Sequence, residues 1–299
     1  MKRFAFALFL SALMLLPVSA AQQAKEITSP DGFINTKPVS LSELKGKKVV
    51  LVDFWTYSCI NCQRTIPYLN AWYEKYKDHG FTILGVHTPE FDFEKKMENV
   101  QAAVNKFGIK YPVIIDNDHS TWNSYGNQYW PRKALVDVKG EVVYRHIGEG
   151  NYEETEKAIQ RALKDLKASV PGGMVKPQAV IEVDFSKIET PEIYLGSRRS
   201  VPGQVRLAGR WDIKPEYAEN LSGDARMVFR YRAKNVYFVA SAKEKLTVKV
   251  LRDGRPFGSV TVKDETLYQL ILDPVGYGEH TLEIIIPRPG LRVFAFTFG

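Results

Sequence analysis

The two cysteines of the chain, Cys59 and Cys62, lie two residues apart in one short segment. An apolar run at residues 49–54 precedes them, and apolar residues at helical spacing follow them. Two thiols at this spacing, between a strand and a helix, are typical of a redox dithiol. Free N–H groups and the helix dipole at a helix N-terminus stabilise a thiolate, which is the form that attacks disulfides. We therefore predict that any thiol chemistry of this protein takes place here.

Two other roles for this cysteine pair are less well supported. A purely structural disulfide across so short a loop would remove little entropy from the unfolded chain. A zinc site would need a second pair of Cys or His residues at ligand spacing, which the sequence lacks. We therefore predict a redox-active Cys59–Cys62 disulfide, with no metal and no other cofactor.

The N-terminus has the pattern of a secretory signal peptide. Lys2 and Arg3 precede an apolar run at residues 4–17, and small residues follow as far as Ala20. The apolar run is shorter than the roughly 20 residues that a membrane-spanning helix needs. We predict cleavage after Ala20, and a mature protein in the periplasm or otherwise outside the cytoplasm.

Length and charge limit the remaining classes. About 280 mature residues are typical of two domains. The formal net charge is +7, which becomes +5 once Lys2 and Arg3 are removed. The basic residues are dispersed among acidic ones, and no basic stripe with interleaved aromatic residues is present. We therefore predict no nucleic-acid partner.

The pattern of apolar residues divides the mature chain into two domains and a linker. In residues 21–170, predicted strands and helices alternate, which indicates a mixed α/β sheet covered by helices. The predicted strands are 49–54, 81–87, 111–116, 134–137 and 141–147, and the predicted helices are 59–76, 93–107 and 151–166. Residues 171–180 are rich in Pro and Gly and form the predicted linker. Residues 181–299 show short alternating strands, with a hairpin turn at Asp253-Gly254, and predict an all-β sandwich.

The first domain resembles a thioredoxin-fold redoxin. The resemblance rests on the Cys-x-x-Cys motif together with Asp53-Phe54-Trp55 before it, Pro67 after it, and Trp130-Pro131 ahead of a strand. It implies that Cys59 is the attacking thiol and Cys62 the buried resolving thiol.

The resemblance also assigns the neighbouring residues. Asp53 would be the buried carboxylate that accepts a proton from Cys62. Pro131 would be a cis-proline beside which the substrate backbone is held. Trp55 and Trp130 would shape the substrate groove.

The active-site segment also departs from thioredoxin. Ile60-Asn61 lies between the cysteines, Ser58 replaces a tryptophan, and the strand at 81–87 contains no lysine to pair with Asp53. We predict that Asp53, without this counter-charge, retains its proton more readily.

Four longer strings extend the resemblance to the extracytoplasmic half of DipZ-type proteins, at residues 52–62, 85–91, 190–196 and 295–299. That half joins a thioredoxin-like domain to a sandwich with a jelly-roll fold that resembles a carbohydrate-binding module. The resemblance implies substrate protein disulfides and a membrane electron carrier of the CcdA or DsbD type as partners. It also implies a role in cytochrome c maturation and a glycan ligand for the sandwich.

Three classes of function follow. The first is an exported thiol–disulfide oxidoreductase, acting as a reductase. The second is a thiol peroxidase of the redoxin class, for which Thr56 fits the motif while Val52 occupies its proline position. The third is a binding protein for envelope glycan or a partner, with a secondary redox site.

Three further groups of residues have roles that the sequence leaves open. His87, at the end of the strand at 81–87, could transfer a proton or hold a loop. Arg198-Arg199 are predicted to tie the sandwich to the first domain. Aromatic residues of the sandwich could stack on sugars or fill its core; they are Trp211, Tyr217, Tyr237, Tyr268 and Tyr277.

Overall fold

A computed structural model describes residues 22–166, 169–178 and 180–299 of the chain. The predicted signal peptide lies outside these residues. Within them, no helix combines the length and the apolar character that crossing a bilayer requires.

The first domain is a six-stranded mixed sheet with helices packed on it. Its strands are β1 (Gly32–Ile34), β2 (Val49–Trp55), β3 (Phe81–His87), β4 (Val113–Ile115), β5 (Arg132–Val136) and β6 (Val142–Ile147). Its α-helices are α1 (Leu41–Leu44), α2 (Ile60–Tyr76), α3 (Met97–Lys106), α4 (Ser120–Ser124) and α5 (Tyr152–Asp165). The strand order is β1-β4-β3-β2-β5-β6, in which β2 is parallel to β3 and antiparallel to β5.

Strand β2 lies at the centre of this sheet, and every one of its residues is buried. Its apolar side chains alternate between two cores, one on each face of the sheet. Burial on both faces explains why β2 and β3 appear in the sequence as continuous apolar runs. The predicted α/β class is confirmed, and β3 has the predicted bounds.

One predicted helix is present, but it begins later than predicted. In the predicted helix 93–107, the chain forms a 3-10 turn at Asp92–Lys95, and α3 begins only at Met97. Lys96 between them has an extended backbone, with φ −73° and ψ 118°. Phe93 packs edge-on against Phe294 of the second domain, at a ring separation of 4.8 Å. This long-range contact keeps residues 92–95 in a 3-10 turn, although the local spacing of apolar residues predicts that residues 93–95 belong to the helix.

The second domain is all-β, as predicted. Its strands are β7 (Ile193–Tyr194), β8 (Arg206–Ala208), β9 (Trp211–Ile213), β10 (Ala218–Asn220), β11 (Ala225–Ala233), β12 (Val236–Ala242), β13 (Leu246–Arg252), β14 (Arg255–Val262), β15 (Thr266–Ile271), β16 (Gly278–Ile286) and β17 (Leu291–Phe298). One sheet has the order β15-β12-β17-β10-β9, with β7 also paired to β17, and the other has the order β14-β13-β16-β11-β8. Asp253-Gly254 forms the predicted hairpin turn, with both residues at positive φ.

The two domains share a buried contact. Val239, Phe294 and Ala295 of the second domain belong to the same apolar cluster as the core of the first. Polar contacts surround it, such as the ion pair between Lys96 and Glu265 at 3.0 Å. The second domain therefore completes one side of the first.

Candidate active site

Cys59 is the N-cap of α2 and is partly exposed. Its Sγ accepts a hydrogen bond from the backbone N–H of Cys62 at 3.4 Å. This N–H is one of the donors that the first turn of a helix leaves without an intrahelical partner. The contact stabilises negative charge on the sulfur, which favours attack by Cys59 on a disulfide.

Cys62 lies in the first turn of α2, and its side chain is buried in the core of the first domain. Burial and the neighbouring Cys59 raise the pKa of the Cys62 thiol well above its usual range. Both cysteines are free thiols in the structure. The Cys59–Cys62 disulfide stays a prediction for the oxidised form.

Asp53 is a buried residue of β2, and burial raises the pKa of its carboxyl group to about 7. The nearby positive charge of Lys133 opposes this rise. Our expectation that Asp53 lacks a lysine counter-charge is wrong, because Lys133 on β5 is the register partner of Asp53. Directly opposite residues of adjacent strands project from the same face of a sheet. The lysine thus comes from the strand after Pro131, on the other side of β2 from the 81–87 strand, which contains none.

Lys133 is fully buried, and its Nζ donates to the carbonyl oxygen of Gly148 at 3.3 Å. Burial lowers the pKa of Lys133, while the charge of Asp53 favours its protonated form. A buried ion pair, Arg64 and Glu149 at 2.7 Å, lies close enough to Lys133 for the charge of Glu149 to act on it. Asp53 and Lys133 likewise act on each other through their charges.

Pro131 follows Trp130 through a cis peptide bond, in the geometry that the resemblance implies. The thiol of Cys59 lies 3.9 Å from the carbonyl oxygen of Trp130. The indole N–H of Trp130 donates to the carbonyl of Thr88 at 3.0 Å, and its ring packs on Trp122. Trp130 and Pro131 therefore lie beside Cys59, on the surface where we predict the substrate backbone.

The predicted groove position of Trp55 is wrong. Its side chain is 1% exposed and belongs to the core cluster that contains Cys62. Its ring packs edge-on against His87 at 5.1 Å. Trp55 ends a strand that is covered on both faces, so it packs in the core beside Cys62 and does not line the surface next to Cys59.

Glu94 is a site residue that the sequence did not reveal. It is fully buried, and Ser58, the residue before Cys59, donates both its N–H at 3.3 Å and its hydroxyl at 2.6 Å to Glu94 Oε1. The backbone N–H groups of Glu90 and Phe91 donate to Oε2. Burial, together with the charge of Glu90, raises the pKa of Glu94 to about 7. Glu94 fixes the backbone that leads into Cys59.

His87 has no exposed surface, and burial lowers its pKa to about 3. Its Nε2 lies 3.4 Å from the hydroxyl of Thr56, and its ring stacks on Tyr57. Thr88 donates its hydroxyl to Asp116 at 2.9 Å. These contacts agree with a loop-holding role for the segment rather than with proton transfer by a charged imidazole.

The sandwich aromatics are engaged in packing and hydrogen bonds. Tyr237 is 3% exposed, and Trp211 donates its indole N–H to Ala208. Tyr217 packs against Phe294, and Tyr268 against Phe238. Tyr277 accepts a hydrogen bond from the N–H of Asp184 through its hydroxyl. A glycan ligand stays a prediction.

The predicted link through Arg198-Arg199 holds for one residue. Arg199 pairs with Glu90 of the first domain at 2.7 Å. Arg198 instead pairs with Glu216 of its own domain at 3.4 Å.

Comparisons with known proteins agree with this geometry. The family model described as Redoxin matches residues 19–163, and that described as Thioredoxin like C-terminal domain matches residues 190–299. The thiol-disulfide oxidoreductase ResA of Bacillus anthracis is 36% identical over 125 residues, which are 42% of this chain and 69% of ResA. The chain belongs to the thioredoxin-like redoxins.

Other relatives extend the redoxin match. Protein DipZ of Mycobacterium tuberculosis is 37% identical over 312 aligned residues, which cover 94% of this chain and 44% of DipZ. The redoxin chain thus spans less than half the length of these DipZ relatives. A solved structure of a thiol:disulfide interchange protein DsbE from Chlorobium tepidum, described as putative, is 28% identical, with a TM-score of 0.43. It covers 48% of this chain and 96% of its own. The matched redoxin region, residues 19–163, contains both Cys59 and Cys62.

Proposed function

We propose that this redoxin acts outside the cytoplasm as a reductase of protein disulfides, through Cys59 and Cys62. One observation carries the proposal: the first thiol is partly exposed at a helix N-terminus, and the second is buried near a carboxyl group of raised pKa. Because only Cys59 is accessible, it would attack the substrate disulfide, and the buried Cys62 would then resolve the mixed disulfide.

The reaction begins when the thiolate of Cys59 attacks one sulfur of a substrate disulfide. A Cys59–substrate bond forms, the substrate disulfide breaks, and the released thiolate takes a proton from water. The Cys62 thiol then transfers its proton to the Asp53 carboxylate and attacks the Cys59 sulfur. The second substrate thiol leaves, and the protein holds a Cys59–Cys62 disulfide. Two electrons have passed to the substrate.

Turnover as a reductase requires a source of electrons. An oxidising compartment does not supply them, so a dithiol carrier in the membrane, of the CcdA or DsbD type, would reduce the Cys59–Cys62 disulfide. Apocytochrome c in cytochrome c maturation is one substrate that fits such a system. The name of the ResA relatives, thiol-disulfide oxidoreductase, supports disulfide exchange as the reaction.

Trapping tests the roles of the two thiols. In a Cys62→Ser variant, substrates should accumulate as mixed disulfides with Cys59, detected by non-reducing gels and mass spectrometry. The matched Cys59→Ser variant should trap little, because its remaining thiol is buried. Equal trapping by both variants would overturn the assignment.

The reduction potential of the Cys59–Cys62 pair tests the direction. A value near the roughly −270 mV of thioredoxin supports a reductase, and one near the roughly −120 mV of DsbA indicates an oxidant. Peroxide consumption faster than insulin-disulfide reduction would favour the peroxidase alternative.

A further inference from the structure

A cavity of about 510 Å³ lies between the two domains, with Cys59 in its wall. Its volume is within the range of small-ligand and peptide-side-chain sites. The first domain contributes Cys59, Asn61, Glu90, Gln128, Tyr129 and Trp130. The second domain, with the segment leading into it, contributes Phe185, Ile188, Thr190, Glu192, Tyr194, Arg199, Thr297 and Phe298. A substrate that reaches the attacking sulfur therefore contacts both domains.

The cavity has an apolar part formed from both domains. Tyr129 is 55% exposed and Phe185 49% exposed, which is high for large aromatic side chains. Trp130, Ile188 and Phe298 extend this apolar lining. Aromatic surface beside a nucleophile gains free energy when an apolar side chain of the substrate covers it.

The charged groups of the cavity do not balance. Its lining includes two carboxylates, Glu90 and Glu192, and one cation, Arg199. Arg199 is committed to Glu90 at 2.7 Å, and its guanidinium lies over the ring of Tyr194. Within the described ranges, no basic side chain forms an ion pair with Glu192. The carboxyl group of Glu192 therefore lacks a direct counter-charge. Burial and the charge of Glu90 raise its pKa, and a cation placed beside it would favour its ionised form.

The hydrogen-bond donors do not balance either. The hydroxyl of Tyr194 lies 2.9 Å from Glu90 Oε1 and 2.8 Å from Glu192 Oε2, yet it has a single proton to donate. When that proton points to Glu90, Glu192 retains only the hydroxyl of Thr297, at 3.2 Å from Oε1. Glu192 thus has the capacity to accept a charged donor from a ligand.

We propose that this cavity is the substrate site of the redoxin and that it selects disulfide-bearing polypeptide segments with a lysine or arginine close to the reactive cysteine. The basic side chain would pair with Glu192, and an apolar neighbour would cover Phe185 and Trp130. The inference rests on the proposed function, since Cys59 must be the thiol that the substrate meets.

The test uses the full chain and three peptides that carry the same disulfide. They differ only in the residue next to the reactive cysteine, which is Lys, Gln or Glu. For each peptide, kcat/KM of the protein is measured with dithiothreitol as the reductant that regenerates the dithiol. This value is divided by the rate constant at which dithiothreitol reduces the same peptide without the protein. This normalisation removes the intrinsic effect of the neighbouring charge on the disulfide. We expect a preference of about tenfold for Lys over Glu at low salt, falling as salt rises.

Two variants locate the source of the preference. Glu192→Gln removes the charge while retaining a hydrogen-bonding group, and should reduce the Lys-over-Glu ratio to about twofold or less. Glu189→Gln is the matched control, since Glu189 lies outside the cavity in an ion pair with Arg232. This variant should retain the full ratio.

The possible results separate the two proposals. Equal rates on all three peptides, or an unchanged ratio in Glu192→Gln, would overturn the selectivity while leaving disulfide reduction intact. Failure to reduce any of the peptides, with a potential near that of DsbA, would overturn the reductase itself.

Discussion

Two buried carboxyl groups lie at the dithiol, and their surroundings differ. Asp53 lies on β2 close to Cys62, and its Oδ1 has no hydrogen-bond partner in the part of the chain that the structure describes. Glu94 lies in the 3-10 turn, and it accepts four hydrogen bonds from Ser58 and two backbone N–H groups. Burial raises the pKa of each to about 7.

The difference shows that a similar pKa shift can accompany two different roles. A carboxylate held by four donors fixes the position of the backbone around it, and its protonation would disturb those contacts. A carboxyl oxygen without a partner can gain or lose a proton with little rearrangement. We therefore assign proton exchange to Asp53 and positioning of Cys59 to Glu94, as proposals that four experiments address.

The largest expected effect is on the pH dependence of stability. The pKa of Asp53 is near 7 in the folded protein and near 3.8 in the unfolded chain. Between these values the folded state binds the extra proton, so the contribution of Asp53 to the free energy of unfolding falls as pH rises from about 4 to 7. Asp53→Asn removes this fall, which is on the order of 3–4 kcal/mol. Urea unfolding of the unmodified protein and of Asp53→Asn at pH 4.5 and pH 8 measures this fall in the free energy of unfolding. An equal fall in the two proteins would contradict the prediction.

The second effect is kinetic. In Asp53→Asn, resolution of the mixed disulfide by Cys62 at pH 7 should slow by about 100-fold, because the buried thiol loses its proton acceptor. Rapid quenching and mass spectrometry follow the mixed disulfide. The exposed Asp78→Asn should behave like the unmodified protein. A normal rate of resolution in Asp53→Asn would mean that water, rather than Asp53, accepts the proton of Cys62.

The third effect concerns Glu94. Glu94→Gln leaves one carbonyl oxygen for donors that two carboxylate oxygens now serve, so it should lower the free energy of unfolding by about 2 kcal/mol. Resolution should change by less than about threefold, since Asp53 is unaffected. Glu98→Gln on the exposed face of α3 is the control. If Glu94→Gln slowed resolution strongly while stability stayed normal, Glu94 rather than Asp53 would be the group that exchanges the proton.

The smallest effect belongs to Lys133. Its charge opposes the rise in the pKa of Asp53, so Lys133→Met should raise that pKa further. The midpoint of the pH–rate profile for resolution should move up by about one pH unit, equivalent to about 1.4 kcal/mol. The exposed Lys139→Met should leave the midpoint in place. An unmoved midpoint in Lys133→Met would mean that the pair is not electrostatically coupled.

The sequence predicted those parts of the site that local pattern controls. The continuous apolar runs of β2 and β3 and the apolar residues at helical spacing in α2 are local signals, so the strand–helix position of Cys59 could be predicted. The cis bond at Trp130-Pro131 was expected only through resemblance, because few X–Pro bonds are cis.

The parts that sequence missed depend on contacts between distant segments. Lys133 faces Asp53 because β2 and β5 pair in one register, and nothing near residue 133 in the sequence encodes that register. A lysine in the apolar strand that follows Pro131 was the available signal. Glu94 was read as part of a helix, because the contact of Phe93 with Phe294 spans 201 positions. The cavity between the domains could not be predicted for the same reason, because its lining residues lie far apart in the sequence.

The shared apolar cluster has a consequence for how this chain folds. Because Val239, Phe294 and Ala295 complete the core of the redoxin domain, cutting the chain near residue 180 would expose that core to water. The two domains should therefore lose their structure together. Heating the intact protein in a calorimeter should give one cooperative transition, where two independent domains would give two.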